Sequence, residues 1–234
     1  MGTGETPGRQ RKVTRALLAC GVTAGPLFVV MVLIQDYTRT GFDPRIHPLS
    51  LLIQGAWGWI QIINFIAAGL LNVAYAAGQR RVLHPGPGRA CGPWLIGVYG
   101  AGLVAAGVFV TDPASGYPPG IPEPPGSSWH STLHGLFAFV VFGSLTAACF
   151  VFARRFAAHS QPGWAVYSAT TGVAVLALFL AAPLNEDLFS RLLRIAVLLG
   201  WAWASALAAR LLTSTDTPQP GTSPRSSPRH IPCP

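Results

Sequence analysis

Six long apolar stretches, separated by short polar connections, constrain the fold of this chain more than any other feature. They run over residues 16–35, 55–78, 91–111, 129–153, 163–183 and 192–212. Each has roughly 20 residues, and at about 1.5 Å of rise per residue such a helix spans the roughly 30 Å hydrocarbon layer of a bilayer. The sequence therefore predicts an all-α, polytopic membrane protein built as a bundle of six transmembrane helices.

Composition supports a membrane environment for most of the chain. Half of the 234 residues are hydrophobic and 10% are charged, whereas a soluble domain carries about 25% charged residues. The formal net charge is +8, but the basic residues are spread over short connections instead of one face, which is not the pattern of a nucleic-acid-binding surface. We therefore expect the lipid bilayer as the main partner, a lipid-like ligand as a further one, and no nucleic acid.

One transmembrane domain is expected over residues 16–212, with a short segment at each end. Residues 1–15 are basic, and residues 213–234 are rich in proline, serine and threonine. Because neither segment has an apolar face to bury, we expect both to be disordered.

The distribution of basic residues predicts the orientation of the bundle. Of the 16 arginine and lysine residues, 12 lie in the two termini and the second and fourth connections, and 4 lie in or beside the other three connections. Acidic residues show the opposite distribution. Under the positive-inside rule, both termini face the cytoplasm, and the first, third and fifth connections face outward from the cell membrane.

Amide side chains occur inside the second apolar stretch, where hydrocarbon makes an unpaired polar group costly. At about 100° per residue, Gln54, Gln61 and Asn72 project onto one stripe of the predicted helix. One interpretation is that this stripe forms hydrogen bonds to neighbouring helices. The other is that Gln61 and Asn72 bind a substrate along a polar path, as in a small-solute transporter.

Three histidines are expected near the same outward interface. His130 and His134 are four residues apart at the start of the fourth helix, so their rings lie on the same side, one turn apart. His47 lies in the first outward connection. Imidazoles are common zinc ligands, so the three residues are candidate metal ligands. The spacing alone is common, however, and lacks the glutamate of the HExxH motif.

Carboxylates and guanidiniums in the outward connections complete a hypothetical active site. Asp43 or Asp112 would orient or deprotonate a zinc-bound water, and Arg191 and Arg194 would hold an anionic head group. The alternative is that these groups only cap helices and form interfacial hydrogen bonds. The proline-rich connection over residues 112–128 cannot be helical, and we expect it to cover the outer end of the bundle as a rigid lid.

Several motifs in order resemble a known family. They are the run GFDPRIHPLSLLIQGAWGWIQIINFIAAGLL, the segment GVFVTDPASGYPPG followed by WHSTLHG, and ACFVFARRF before the fifth helix. Together they resemble the domain of unknown function 998 family, which is common in actinobacteria, over roughly residues 16–209. The resemblance implies a multi-pass integral membrane protein with about six helices. It implies no established activity.

Three functional hypotheses follow. The first is a non-catalytic membrane protein that binds a lipid or a partner, or supports the cell envelope. The second is a metal-assisted hydrolase or transferase that acts on a lipid-like substrate at the extracytoplasmic face, with zinc as the cofactor. The third is a small-solute transporter, based on the amide stripe. The sequence alone does not decide whether the protein is an enzyme.

Overall fold

The computed structural model of the protein describes residues 7–215, and residues 1–6 and 216–234 lie outside it. Six helices in the described part are long and apolar enough to cross a membrane. They are α1 (Pro7–Thr38), α2 (Gly58–Val82), α3 (Cys91–Val108), α4 (Trp129–Ala158), α5 (Pro162–Ala181) and α6 (Phe189–Ser214). Short 3-10 helices occur at Leu49–Ile53, Ala182–Leu184 and Glu186–Leu188. Residues 7–215 contain no β-strand, so the prediction of an all-α, six-helix membrane bundle is confirmed.

The helices form a closed ring in chain order. Each helix packs against the next one, and α6 returns to pack against α1. Aromatic side chains fill part of the centre, where Phe28 of α1 contacts Phe65 of α2 and Trp201 of α6, with ring centroids 5.3 and 5.1 Å apart. Large apolar side chains such as Leu70 and Phe139 are exposed. An exposed apolar belt of this kind suits lipid as the surrounding solvent.

Close packing between α2 and α3 depends on two glycines that face each other. A Cβ atom added to Gly69 would lie 2.6 Å from the carbonyl oxygen of Gly100, and one added to Gly100 would lie 2.6 Å from the carbonyl oxygen of Gly69. The two backbones therefore approach more closely than larger residues permit. This contact holds α3 against α2 beside the amide stripe.

The two ends of the transmembrane domain differ in part from expectation. α1 begins at Pro7, so residues 7–15, which we expected to be disordered, form its first turns. Arg11 donates a hydrogen bond to the backbone carbonyl of Thr215, at 2.9 Å, just beyond α6. The negative end of the α6 dipole favours a cation at this position, which helps to hold the basic segment in helical form. Most of the predicted disordered tail, residues 213–234, lies outside the described part.

The first, third and fifth connections meet at one end of the ring. This end is called the outer end, after the orientation that the sequence predicts, and the opposite end is the inner end. The third connection runs from Phe109 to Ser128 without a helix, as its prolines predict. Ser190 at the start of α6 donates hydrogen bonds to the carbonyls of His47 and Pro44, at 2.8 and 3.0 Å, which fastens the first connection to α6.

Candidate functional site

A buried aromatic cluster joins the first and third connections at the outer end. Phe42, His47 and Tyr117 contact one another, with ring centroids 5.2 to 5.4 Å apart. Burial raises the pKa of the Tyr117 phenol, and the nearby guanidinium of Arg39 offsets part of that rise. The third connection therefore packs as a lid through apolar contacts, and the prolines alone do not position it.

His47 lies inside this cluster and uses both ring nitrogens. The backbone N–H of Asp43 donates to Nδ1 at 2.9 Å, so Nδ1 carries no proton. Nε2 lies 3.0 Å from the carbonyl oxygen of Ser115, and because a carbonyl only accepts, Nε2 donates. His47 thus bridges the first and third connections through both ring nitrogens. Neither nitrogen is free to bind zinc.

His134 joins α4 to the end of α3. Its Nδ1 lies 2.9 Å from the carbonyl oxygen of Ala106 and 2.8 Å from that of Phe109. Both carbonyls belong to the last turn of α3 and its cap, where no intrahelical donor remains, so Nδ1 carries the proton and donates. Nε2 has no hydrogen-bond partner among residues 7–215. It is therefore the one ring nitrogen of this residue that a ligand could reach.

Asp112 caps the start of α4. Its Oδ2 accepts a hydrogen bond from the backbone N–H of Ser128 at 2.7 Å, and the hydroxyl of Ser128 accepts one from the backbone N–H of Ser131 at 3.2 Å. These bonds satisfy donors that a helix start leaves unpaired. The hydrogen bonds from Ser128 lower the pKa of the Asp112 carboxyl, and attraction to His130 adds a smaller lowering.

The structure does not assemble the three-histidine zinc site. His47 has no free nitrogen, His134 is directed at α3, and the ring of His130 stacks on Trp129 with centroids 3.5 Å apart. Across residues 7–215 no group of three His, Cys, Asp or Glu side chains is arranged to hold a metal ion. The spacing of His130 and His134 placed both on α4 but could not show that backbone carbonyls of α3 bond the ring of His134 or that the ring of His130 stacks on Trp129. The expected acid or base Asp43 likewise forms a local turn, in which its Oδ1 accepts from the backbone N–H of Arg45 at 2.8 Å.

The arginines expected to hold an anionic head group are placed elsewhere. Arg194 forms an ion pair with Asp36 of α1 and also approaches the carbonyl of His47, at 3.4 Å. Arg191 is exposed on α6. Neither residue is among those that line the cleft and the cavity described below. Arg194 therefore connects α6 to α1 and to the first connection.

The amide stripe of α2 is buried and partly hydrogen-bonded, and Nε2 of Gln61 and Oδ1 of Asn64 have no partner among the described residues. Gln61 accepts from the side-chain amide of Gln35 on α1 at 2.8 Å and from that of Asn64 at 3.2 Å. Asn72 donates to the carbonyl of Ala68 at 2.9 Å. Gln61 and Asn72 are 0% and 1% exposed, and neither lines any of the three cavities described below. This arrangement favours the packing interpretation over a transport path.

Gln35 and Arg39 extend this polar network toward the outer end, and the sequence reasoning did not single them out. Arg39 donates to Oε1 of Gln35 at 2.7 Å and to the backbone carbonyl of Trp57. Gln54 donates to the carbonyl of Thr111, at the start of the third connection. The position of Gln35 at the end of an apolar stretch was a sequence signal for a polar contact. Its hydrogen-bond partner on α2, Gln61, could not be predicted from either helix alone.

A cleft of about 890 Å³ opens at the outer end between α4, α5, the start of α6 and the third connection. It is called the outer cleft. Its lining includes three carboxylates, those of Asp112, Glu123 and Glu186, together with His134. None of the described residues that line it is an arginine or a lysine. The described lining of the outer cleft therefore carries negative charge.

A smaller cavity of about 100 Å³ lies inside the ring, between α1, α2, α3, α4 and α6. It is called the central cavity, and its lining is mostly apolar and aromatic. The residues that line both spaces are Pro48, Ser50, His134, Ala138 and Leu193. The outer cleft and the central cavity therefore adjoin. The imidazole of His134, with its Nε2 atom, lies at their junction.

Comparison with known proteins supplies a family but no activity. The profile described as "Protein of unknown function (DUF998)" matches residues 22–210, from within α1 to near the end of α6. Searches of the curated proteins and of the solved structures each find no match. Since the matched region covers most of the chain, this protein belongs to the DUF998 family, whose function is unknown.

Proposed function

We propose that this protein is a non-catalytic membrane protein that binds one amphipathic, lipid-like molecule at its extracytoplasmic end. The observation that carries this proposal is the junction of the acidic outer cleft with the apolar central cavity. One space suits a polar head and the other suits the end of an apolar chain. Ligand sites commonly combine a concave apolar surface with a few convergent polar groups in this way.

The apolar chain would end in the central cavity. Phe28, Phe65, Leu103, Val141 and Trp201 contribute to its walls. An apolar cavity of about 150 Å³ can bind benzene, so a volume of about 100 Å³ accommodates only a few carbon atoms. The rest of the chain would lie in the outer cleft, which is several times larger.

The head group would be cationic or rich in hydroxyl donors. Asp112, Glu123 and Glu186 provide carboxylate oxygens around the outer cleft, and Nε2 of His134 provides an acceptor near the junction. An ammonium or a hydroxyl can donate to these atoms, whereas a phosphate or carboxylate head would be repelled. This preference replaces the anionic head group that Arg191 and Arg194 were expected to bind.

Access from the lipid would be lateral. Phe139 of α4 and Leu180 of α5 line the outer cleft and are also 62% and 53% exposed. Apolar side chains that are both exposed and cleft-lining offer a path along which an acyl or alkyl chain stays in apolar surroundings. A ligand could then enter without exposing its chain to water.

Binding is favoured over catalysis because the candidate catalytic groups have structural partners. Asp112 caps α4, Asp43 accepts from the backbone of Arg45, and His47 bridges two connections. None of the three is paired with another acid or base in a way that would activate a water or a nucleophile. The geometry of residues 7–215 thus supports ligand binding more than catalysis.

The test is native mass spectrometry of the detergent-solubilised protein with two matched probes, tetradecylamine and tetradecyl sulfate. We expect one tetradecylamine per chain and much weaker binding of the sulfate. Ala138→Phe places a ring at the junction and should reduce amine binding by roughly tenfold or more. The control is Ala101→Phe, since Ala101 is exposed on α3 and lines neither space. Equal amine binding by the two variants would remove the proposal.

A further inference from the structure

A second cleft, of about 450 Å³, lies at the inner end between the ends of α2, α4 and α6. It is called the inner cleft. Arg155, Arg210, His84 and His159 contribute to its lining, and none of the described residues that line it is an aspartate or a glutamate. We propose that the inner cleft binds a phosphate group. This proposal is independent of the function proposed for the outer end.

Arg155 provides the fixed, buried charge. Its side chain belongs to α4, and the residue is 8% exposed. Nη1 donates to the carbonyl of Pro87 at 2.9 Å and Nη2 donates to that of His84 at 3.2 Å. Both partners are neutral, and no carboxylate within residues 7–215 pairs with this guanidinium. A largely buried cation with only neutral partners gains from an anionic ligand, because its charge is otherwise uncompensated.

Arg210 provides a second charge on α6, held in a defined orientation. Its guanidinium carbon lies 4.8 Å from the ring centre of Trp164 and 5.4 Å from that of Phe156. Nη2 donates to Oε1 of Gln161 at 2.6 Å. Two aromatic faces and one amide fix the plane of the guanidinium while most of its N–H donors remain available. Such a pre-oriented planar group is suited to contacting phosphate oxygens in pairs.

Two imidazoles complete the donor set. His159 donates from Nδ1 to the carbonyl of Arg155 at 2.8 Å, which leaves Nε2 for another partner. His84 is exposed near the start of the second connection, just after α2 ends, and lines the same cleft. Because Nδ1 of His159 holds the proton of the neutral ring, its Nε2 donates to a phosphate oxygen only when the ring is protonated, whereas His84 can donate in its neutral or its charged form.

The carbonyl ends of α2, α4 and α6 do not neutralise this charge. A helix carboxyl end carries a partial negative charge of roughly half a unit, confined to its last turn. These ends explain why cations are favoured here, but a partial dipole charge is weaker than the full charge of a carboxylate. The described residues of the inner cleft therefore keep a net attraction for an anion.

The phosphate could belong to a lipid head group or to a soluble molecule. Basic pockets between transmembrane helices on the cytoplasmic side are suited to anionic lipid heads. Trp164 beside Arg210 is an aromatic residue of the kind that occurs at the depth of head groups. Both sources present the same phosphate oxygens, so the experiment has one arm for each.

The experiment uses full-length protein in detergent with two probes, dioctanoyl phosphatidylglycerol and inorganic phosphate, followed by native mass spectrometry and isothermal titration calorimetry. We expect saturable binding of at least one probe. Arg155→Gln combined with Arg210→Gln should weaken that binding by at least tenfold. The matched control combines Arg80→Gln with Arg154→Gln, since both residues are exposed on α2 and α4 and neither lines the inner cleft.

Arg210→Gln alone separates an effect on binding from an effect on folding. The variant should fold, because the Arg210 guanidinium hydrogen-bonds only the side chain of Gln161 within the described structure. We expect this variant to keep the wild-type melting temperature to within a few degrees and to bind at least threefold more weakly. Preferential binding of phosphatidylglycerol would assign a lipid head, and preferential binding of inorganic phosphate would assign a soluble ligand. Absence of saturable binding by both probes, or equal weakening by the Arg80 and Arg154 control, would overturn the proposal.

Discussion

Arg194 of α6 forms an ion pair with Asp36 of α1, with Nη1 and Oδ2 2.7 Å apart. The two side chains are 18% and 5% exposed, so the pair is largely removed from solvent. It joins the first and last helices of the ring at the outer end, beside the carbonyl of His47. The ion pair of Arg194 therefore connects α6 to α1, the contact that closes the ring of helices.

Breaking this ion pair should destabilise the protein. Arg194→Met leaves the Asp36 carboxylate largely buried without a cation, and we expect the free energy of unfolding to fall by about 2 kcal/mol, between the values for exposed and buried pairs. Thermal and denaturant unfolding in detergent measure this change. The control Arg191→Met removes an exposed charge on the same helix and should change stability by about 0.5 kcal/mol or less. Equal effects of the two substitutions would mean that the pair contributes nothing.

His134 should contribute to stability and should not depend on zinc. His134→Leu leaves the carbonyls of Ala106 and Phe109 without their shared donor, so we expect a loss of about 2 kcal/mol. His130→Leu, at a residue that stacks on Trp129 and makes only a small electrostatic contribution at Asp112, should cost less. Adding zinc should leave the melting temperature of the wild-type protein equal to that measured with a chelator. A rise in melting temperature with zinc, lost in both variants, would instead support a metal site.

The contact between α2 and α3 should tolerate no added side chain at its closest point. Gly100→Ala places a methyl group against the carbonyl of Gly69, and we expect a destabilisation of about 2 kcal/mol from overpacking. Gly97→Ala is the control on the same helix, because a Cβ atom there would meet only Ala76, at 3.7 Å. Unfolding of both variants in one detergent separates this steric effect from the general effect of replacing glycine. A Gly100→Ala protein as stable as the Gly97→Ala protein would contradict the packing described.

Asp112 should make stability depend on pH in the acidic range. Its pKa is lower in the folded protein than its ordinary value, mainly because Ser128 donates to the carboxylate. A lowered pKa means that the stabilisation is fully present above the ordinary aspartate value of about 3.9 and is lost as the pH falls through the folded value. We expect Asp112→Asn to remove this part of the pH dependence below about pH 5, with an unchanged helical content by circular dichroism. Identical acid melting curves for the wild-type protein and the variant would show that the cap bond is not formed.

The helices could be predicted from the sequence because a segment that crosses a bilayer has few alternatives to helical structure. An apolar run of about 20 residues in lipid must satisfy its backbone hydrogen bonds internally, so length and hydropathy suffice. The inward direction of Gln61 and Asn72 also followed from helical spacing. The partner of Gln61 did not, because the rotation of α1 that presents Gln35 depends on packing between helices.

The candidate site was only partly predictable for a related reason. The sequence made His47 and His134 candidate metal ligands, but the partners they have are backbone carbonyls and a backbone N–H, which carry no sequence signal. Ala138 and Leu193 at the junction are ordinary apolar residues in a long apolar pattern. A cavity arises where neighbouring side chains are too small to meet, and that depends on the arrangement of several helices at once.

The most direct test of the account is an experimental structure of the protein in nanodiscs that contain a brominated long-chain amine. We expect elongated density that enters between Phe139 and Leu180 and ends in the central cavity near Trp201, with its head beside Asp112 and Glu186. The bromine atoms identify the chain and separate it from other density. A central cavity closed by side chains, with the amine found only in the surrounding lipid, would contradict the account.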